Sequence, residues 1–190
     1  MSEKPTFRLR PLEEKDLETV AVFEGEIAKI SFPDDPITDT NFYIKKLKQL
    51  MANKDAAAFV AESGGEVVGW ANVSQRQNFI TKEKYADFHS IYVAPSQRGG
   101  GVVAALVEAV FDHCRQKNMG KVVFRTRADN ERMKSVLARV GFVPTQIYYE
   151  MAFDGKAKGG EKPLLIAPLP PRALARGGEG RRVHPTAPPS

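Results

Sequence analysis

A single cysteine, Cys114, stands in 190 residues, so an internal disulfide framework is excluded. Cys114 falls on an apolar helix stripe, where core packing is its expected role. Histidine is nearly as scarce, with His89, His113 and His184, and no metal site is expected. No stretch approaches the roughly 18 consecutive apolar residues that a membrane-spanning helix needs. Met1-Ser2-Glu3-Lys4-Pro5 has no apolar run of the kind found in signal peptides, and a cytoplasmic location is the resulting expectation. The Gly-Lys-Ser/Thr of a nucleotide P-loop is also missing.

What is present suits one globular domain with a sizeable core, followed by a tail. Residues 155–190 hold seven Lys or Arg against two Glu, a net of +5, which equals the net charge of the whole chain. The preceding residues are therefore about neutral, and the basic balance belongs to the tail. Seven of the 13 prolines and six of the 15 glycines also lie there. The expected division is a domain over 1–153 and a Pro/Gly/Arg-rich tail over 154–190, with 163–169 as an extended apolar segment. The tail reads as solvated and mostly irregular.

Periodicity orders the domain. Residues 6–10 alternate as a strand that Pro11 ends. Asp16 precedes a helical pattern of Leu17, Val20, Phe23, Ile27 and Ile30. After the turn at 31–36, a second helix runs from about Asp39 to Met51, with Phe42, Ile44, Leu47 and Leu50 apolar. Ala57–Glu62 and Val67–Val73 read as strands joined by Ser63-Gly64-Gly65-Glu66, a hairpin turn. A polar loop is expected over 74–84 and a strand over 85–93. A helix follows with Val103, Leu106, Val107, Val110 and Cys114 on one face. Then come a strand over 121–126, a helix over 130–140 stopped by Gly141, and one or two closing strands over 142–153. The order β-α-α-β-β-β-α-β-α-β predicts an α/β (α+β) fold, a mixed sheet with helices on both faces.

The stretch from Ser90 to Leu106 organises the chain. A β-branched strand runs to Pro95, then Gln97-Arg98-Gly99-Gly100-Gly101 leads into the helix at Val102-Val103. Backbone N–H groups at such a turn converge on one concavity, and the helix dipole favours an anion there. Glycine admits a phosphate close to the backbone and supplies the positive φ these turns need. A dinucleotide fingerprint, Gly99-x-Gly101-x-x-Ala104, wants an acidic residue about 20 residues on, at a strand end. Asp129, 28 residues past Gly101, instead opens a helix.

Val93-x-Pro95-x-x-Arg98-Gly99-x-Gly101-Val102-x-x-x-Leu106 resembles the cofactor motif of the GNAT superfamily of acyl-CoA-dependent N-acyltransferases. Val103 departs from it, standing where that family has Gly or Ala. The resemblance extends over roughly residues 6–153, from Arg8-Leu9-Arg10-Pro11 and Asp16 to Asn130-x-x-Met133-x-x-Val136-Leu137-x-x-x-Gly141-Phe142. It implies a mostly antiparallel sheet and acetyl-CoA as co-substrate. It implies that the pyrophosphate is bound over 97–103 and that backbone groups of Ile91 and Val93 pair with the pantetheine amides. It also implies that the Asn130 side chain holds the same arm. Leu137 occupies the place of the tyrosine that often protonates the thiolate.

Amine acylation by a thioester also needs a base. His89, on the strand before the turn, is the candidate, with Asp87 two residues earlier to orient or replace it. Tyr148 and Tyr149, on the expected closing strand, are the substitutes for a proton donor. Asp34, Asp35 and Asp39 between the first two helices, with Glu24 and Glu26 upstream, would suit a cationic amine. Helix capping and a proline-rich turn are the favoured account of them. Phe32, Trp70 and Phe79 are candidate pocket walls. The expected function is N-acetyl transfer from acetyl-CoA to a primary amine of a small molecule or peptide. The alternatives are a non-catalytic acyl-CoA-binding domain on the same fold and, through the tail, a nucleic-acid-binding protein. The neutral domain argues against the last. No membrane partner is expected, and a homodimer is an admissible assembly.

Overall fold

A computed structural model describes residues 7–149. The chain divides into two units, Met1–Pro144 and Thr145–Ser190. The first holds every helix and strand among the described residues. Its strands are β1 (Arg8–Pro11), β2 (Ala56–Ser63), β3 (Glu66–Gln77), β4 (Lys84–Val93) and β5 (Val122–Phe124). Its helices are α1 (Leu17–Ser31), α2 (Thr40–Ala52), α3 (Val102–Gln116) and α4 (Glu131–Arg139). The sheet follows chain order, β1-β2-β3-β4-β5, antiparallel throughout except for the β4–β5 pair.

Alternation along the strands builds two apolar layers. Val60 and Trp70 face one side, where Leu17, Val20, Ala21 and Ala28 of α1 and Tyr43 and Leu47 of α2 cover them. Ala61, Ala71 and Val73 face the other, against Val102, Leu106, Val107, Val110 and Cys114 of α3. The mixed sheet with helices on both faces is thus the architecture that the periodicity predicts, and its mostly antiparallel pairing is what the resemblance implies.

Local chemistry sets the ends. Gly64 and Gly65 take φ of +60° and +85° in the β2–β3 hairpin turn, as a two-residue primed turn requires. Asp39 Oδ1 accepts the Asn41 N–H at 2.9 Å and starts α2. Arg10 holds β1 to the entry of α1, donating to both Asp16 oxygens at 2.6 and 2.9 Å and to Glu62 at 2.8 Å. Burial opposes the Asp16 charge, but Arg10 and the Glu13 N–H outweigh it and hold its carboxyl below the usual range.

Four expectations are corrected. Residues 74–77 are not loop: they extend β3 and pair with 84–87 of β4. A polar hairpin arm gains its ladder hydrogen bonds from its neighbour, which hydropathy does not register. In α2, Tyr43 rather than Phe42 is buried. The Tyr43 hydroxyl donates to Ile37 O at 2.8 Å, which satisfies its polar end, and Phe42 turns out beneath the Lys46 ammonium. The strand expected over 121–126 shrinks to Val122–Phe124, because its partner diverges from it. The described part of the expected closing strand, 142–149, is irregular, and 150–153 lie outside the described residues. Ile147, Tyr148 and Tyr149 favour strand by type but are exposed and have no ladder partner among the described residues. The tail over 154–190, with its segment 163–169, also lies outside the described residues.

Candidate functional site

The parallel β4–β5 ladder has three residue pairs, Ala86 with Val122, Asp87 with Val123 and Phe88 with Phe124. Beyond Phe88 no strand lies on that edge of β4 among the described residues. A bulge marks the same point: Phe88 opposes Val73, Ser90 opposes Asn72, and His89 is the extra residue. Bulges bend a strand and re-aim its side chains. Phe88 and Ile91, three apart, therefore both pack on the α3 layer. His89 and Ser90 lie between them.

The strand edge exposed by this divergence carries peptide groups. Ala94 N–H donates to Val68 O at 2.8 Å. By the two-residue alternation of an antiparallel ladder, Tyr92 and Ser90 also face β3, and the N–H and C=O of Ile91 and Val93 face the open side. Val93 O is found there, accepting from Arg98 Nε at 3.1 Å. A cleft of about 270 Å³ follows this edge. Ile27 and Ser31 of α1 line one wall, and Asn130, Met133 and Val136 line the other. Arg98, Arg125 and Arg132 add positive charge, and Val103 closes the end at α3.

At that end Gly99 and Gly101 adopt φ of +92° and +83°, with open space where a Cβ would stand. The first ladder bond of α3 runs from Ala105 N–H to Gly101 O at 3.0 Å. The N–H groups of Val102, Val103 and Ala104 precede it and have no ladder partner, and Gly101 brings no side chain to cap them. Gln97 and Gly100 complete the turn through Gln97 N–H to Ala94 O and Gly100 N–H to Gln97 O. Val102 turns its side chain into the core, whereas Val103, half-buried, turns toward the cleft. Open turn, unpaired amides, arginines and an apolar trough fit a phosphate-bearing thioester with an amide-containing arm.

Asp87 is buried, and Arg125 NH1 donates to its Oδ1 at 2.8 Å. Its Oδ2 stands 3.8 Å from His89 Nδ1 and from Arg76 Nε. Burial lowers the His89 pKa below the ordinary imidazole value, Asp87 opposes this, and Arg76, Arg125 and Lys46 lower it further. His89 lines the cleft beside Ser90 and Ile91. The lowered pKa favours the neutral imidazole, and one nitrogen faces a carboxylate, an arrangement that suits a proton acceptor.

The remaining expected residues divide. Asn130 lines the cleft, but its Oδ1 is committed to the Met133 N–H at 3.0 Å, which leaves its NH2 to reach a ligand. Tyr148 is exposed and belongs to the Thr145–Ser190 unit. Leu137 is half-buried. Trp70 is core and Phe79 is exposed at the β3–β4 hairpin end, so neither walls the cleft. Asp34, Asp35 and Asp39 are exposed. Ser90, Ile27, Arg125 and Arg132 were not anticipated, and no local pattern marks them, because strand divergence brings them together. Glu24 did carry a signal. It interrupts the apolar stripe Leu17, Val20, Glu24, Ile27 and Ala28 at an inward position of α1.

The family model described as "Acetyltransferase (GNAT) family" matches residues 23–142. N-acetyltransferase 8B of Mus musculus is 27% identical over 112 residues, covering 58% of this chain and 48% of its own. An uncharacterized N-acetyltransferase of Methanocaldococcus jannaschii is 27% identical over 118 residues, covering 57% and 51%. The chain thus spans about half the length of these curated relatives. Aminoglycoside N-acetyltransferase AAC(6')-Iy, solved in complex with CoA, superposes with a TM-score of 0.64 at 22% identity, over 76% of this chain and 94% of that one. Divergent strands, a glycine turn at a helix start and a family match across both agree: this chain belongs to the GNAT acetyltransferase family.

Proposed function

We propose that this chain is an acetyl-CoA-dependent N-acetyltransferase acting on a primary amine of a small molecule or peptide. The observation that carries the reading is the unpaired edge of β4, where Ile91 and Val93 present peptide groups along a cleft ending at the glycine turn. Acetyl-CoA supplies a thioester whose carbonyl carbon accepts a nucleophile and whose thiolate is a good leaving group. The amides of Gly101 to Val103, with Gly99 and Gly100 leaving room, hold its pyrophosphate. Arg98 braces the turn through Val93 O. The NH2 of Asn130 and the strand edge hold the pantetheine arm. A backbone N–H on that edge polarises the acetyl carbonyl.

On the acceptor side an alkylammonium must lose one proton before its nitrogen can attack. Nδ1 faces Asp87 at 3.8 Å, and Nε2 is the nitrogen that takes that proton. The C–N bond forms, the C–S bond breaks with its electron pair leaving on sulfur, and the nitrogen sheds its second proton to solvent or to the departing thiolate. A thiolate departs without a proton donor, so Leu137 is no obstacle. Calorimetry with acetyl-CoA and with NAD, then thiol release against a panel of primary amines, tests the reading. Acetyl-CoA binding with amine-dependent thiol release is expected, and heat with NAD but none with acetyl-CoA would overturn it. The second reading, a non-catalytic acyl-CoA-binding domain, is favoured by the Val103 side chain in the cleft, and it predicts binding without thiol release.

A further inference from the structure

Among the described residues, two side-chain polar atoms are buried without a hydrogen-bond partner, Trp70 Nε1 and Glu24 Oε1. Leaving a buried carboxylate oxygen unmet incurs its full desolvation cost, so such an atom calls for a partner. Glu24 lies on the face of α1 that includes Ile27 and Ser31, three and seven residues on, and both line the cleft. The Ser90 hydroxyl, also on the cleft wall, is the hydrogen-bonding neighbour of its carboxylate. The other nearby groups are committed or distant. The Tyr43 hydroxyl donates to Ile37 O. Lys46 acts on Glu24 only through its charge, and its ammonium lies over the Phe42 ring. No ion pair to Glu24 is found within 4.0 Å among the described residues.

We infer that Glu24, carried by α1 behind the lining residues Ile27 and Ser90, is the acceptor-side anion of the site, the residue that turns to receive the ammonium of a primary-amine acceptor and holds it beside the β4 edge. This rests on the N-acetyltransferase reading and adds to it the residue that selects a cationic over a neutral acceptor. A small cation with N–H donors satisfies both the unmet oxygen and its charge, whereas a neutral alcohol supplies one donor and no charge. Burial raises the Glu24 pKa, so an arriving cation favours its ionised form. Glu24 holds the ammonium, and the proton that must leave goes to His89. Glu24 is thus a binding and specificity residue.

The test uses the full chain with n-butylammonium chloride and n-butanol as probes, followed by carboxyl-carbon NMR. Butylammonium is expected to lower the Glu24 titration midpoint and to bind at least fivefold more tightly than butanol. In Glu24→Gln that preference should vanish, with the melting temperature and acetyl-CoA affinity retained. In turnover with n-butylamine, Glu24→Gln should raise KM at least tenfold and change kcat less than threefold. Equal binding of butanol and butylammonium to the unaltered chain overturns the inference, whether or not the variant folds. Equal butylammonium binding by a folded Glu24→Gln overturns it as well. Failure of the N-acetyltransferase reading shows differently, as an absence of amine-dependent thiol release, and leaves the ammonium-binding result standing.

Discussion

The Asp87 carboxylate lies 3.8 Å from Nδ1 of His89 while Arg125 holds its other oxygen at 2.8 Å. The pair therefore couples a half-exposed imidazole to a buried, arginine-braced anion. Burial, Arg76, Arg125 and Lys46 hold the His89 pKa below its usual value, and Asp87 alone opposes them. If His89 takes the acceptor proton, kcat/KM should rise with pH through that lowered pKa. Asp87→Asn removes the only group raising it, so the limb should move to still lower pH. His89→Ala should flatten the limb and cost at least about tenfold in kcat, the low end of general-base effects, with acetyl-CoA affinity unchanged. A pH–rate series on the three proteins checks this. A limb that moves to higher pH in Asp87→Asn would remove His89 from the role.

Arg98 connects the turn to the strand through Nε, which donates to Val93 O at 3.1 Å, and through its guanidinium over the Tyr92 ring. Arg98→Ala should weaken acetyl-CoA binding by about 1–3 kcal/mol, the range of a charge-assisted hydrogen bond. Arg98→Lys should not restore it, because an ammonium cannot brace the carbonyl through Nε and present further donors outward. Calorimetry on both variants decides this. Full affinity in Arg98→Lys would show that only charge matters there.

Much of this arrangement is readable in one dimension. The apolar stripe of α3, the β2–β3 turn glycines and the stop at Gly141, with φ of +93°, are local, and local sequence specifies them. The turn at 97–103 is legible for the same reason. The cleft is not. It exists because β5 stops pairing at Phe124 while β4 runs on to Val93, and the residues it gathers come from α1, β4, the glycine turn, α3, the β5 end and α4. Aromatic type alone misplaces Trp70, whose ring is core, and Phe79, which is exposed. Glu24 is the intermediate case: its inward position is visible as a break in the stripe, but only packing shows one oxygen left without a partner.

Gly69 shows how tightly β3, β4 and the start of α3 are packed. A Cβ there would stand 3.1 Å from Tyr92 O, 3.2 Å from Val102 Cγ1 and 3.2 Å from Val93 Cγ2. One of these atoms is backbone, and all three belong to the strand end and helix start that frame the turn. Gly69→Ala should therefore push β4 and α3 apart and cost about 1–3 kcal/mol, as overpacking does. Acetyl-CoA affinity should fall with it. Thermal melts and calorimetry test the two effects together. A variant with an unchanged melting temperature would mean that the helix start yields without cost.

Val102 and Val103 are adjacent and equal in chemistry, and both pack on the α3 core layer, but only Val103 also lines the cleft. Val102 is core, in contact with the sheet layer of Ala71 and Val93. Val103 is half-buried and faces the cleft, one residue along the helix start that offers its N–H groups. Val102→Ala should cost roughly 2 kcal/mol, from about 0.8 kcal/mol for each buried methylene removed plus the cavity left behind. Val103→Ala should cost little stability, since alanine favours helix and less of the side chain is buried. It should tighten acetyl-CoA binding by removing bulk beside the phosphate amides. The readouts are therefore expected to cross: a lower melting temperature for Val102→Ala, and tighter binding without that loss for Val103→Ala. The Val103 variant also separates the catalytic reading from the non-catalytic one. If affinity limits the enzyme, amine-dependent thiol release should rise along with binding. Tighter binding that brings no thiol release with any amine would favour the acyl-CoA-binding domain.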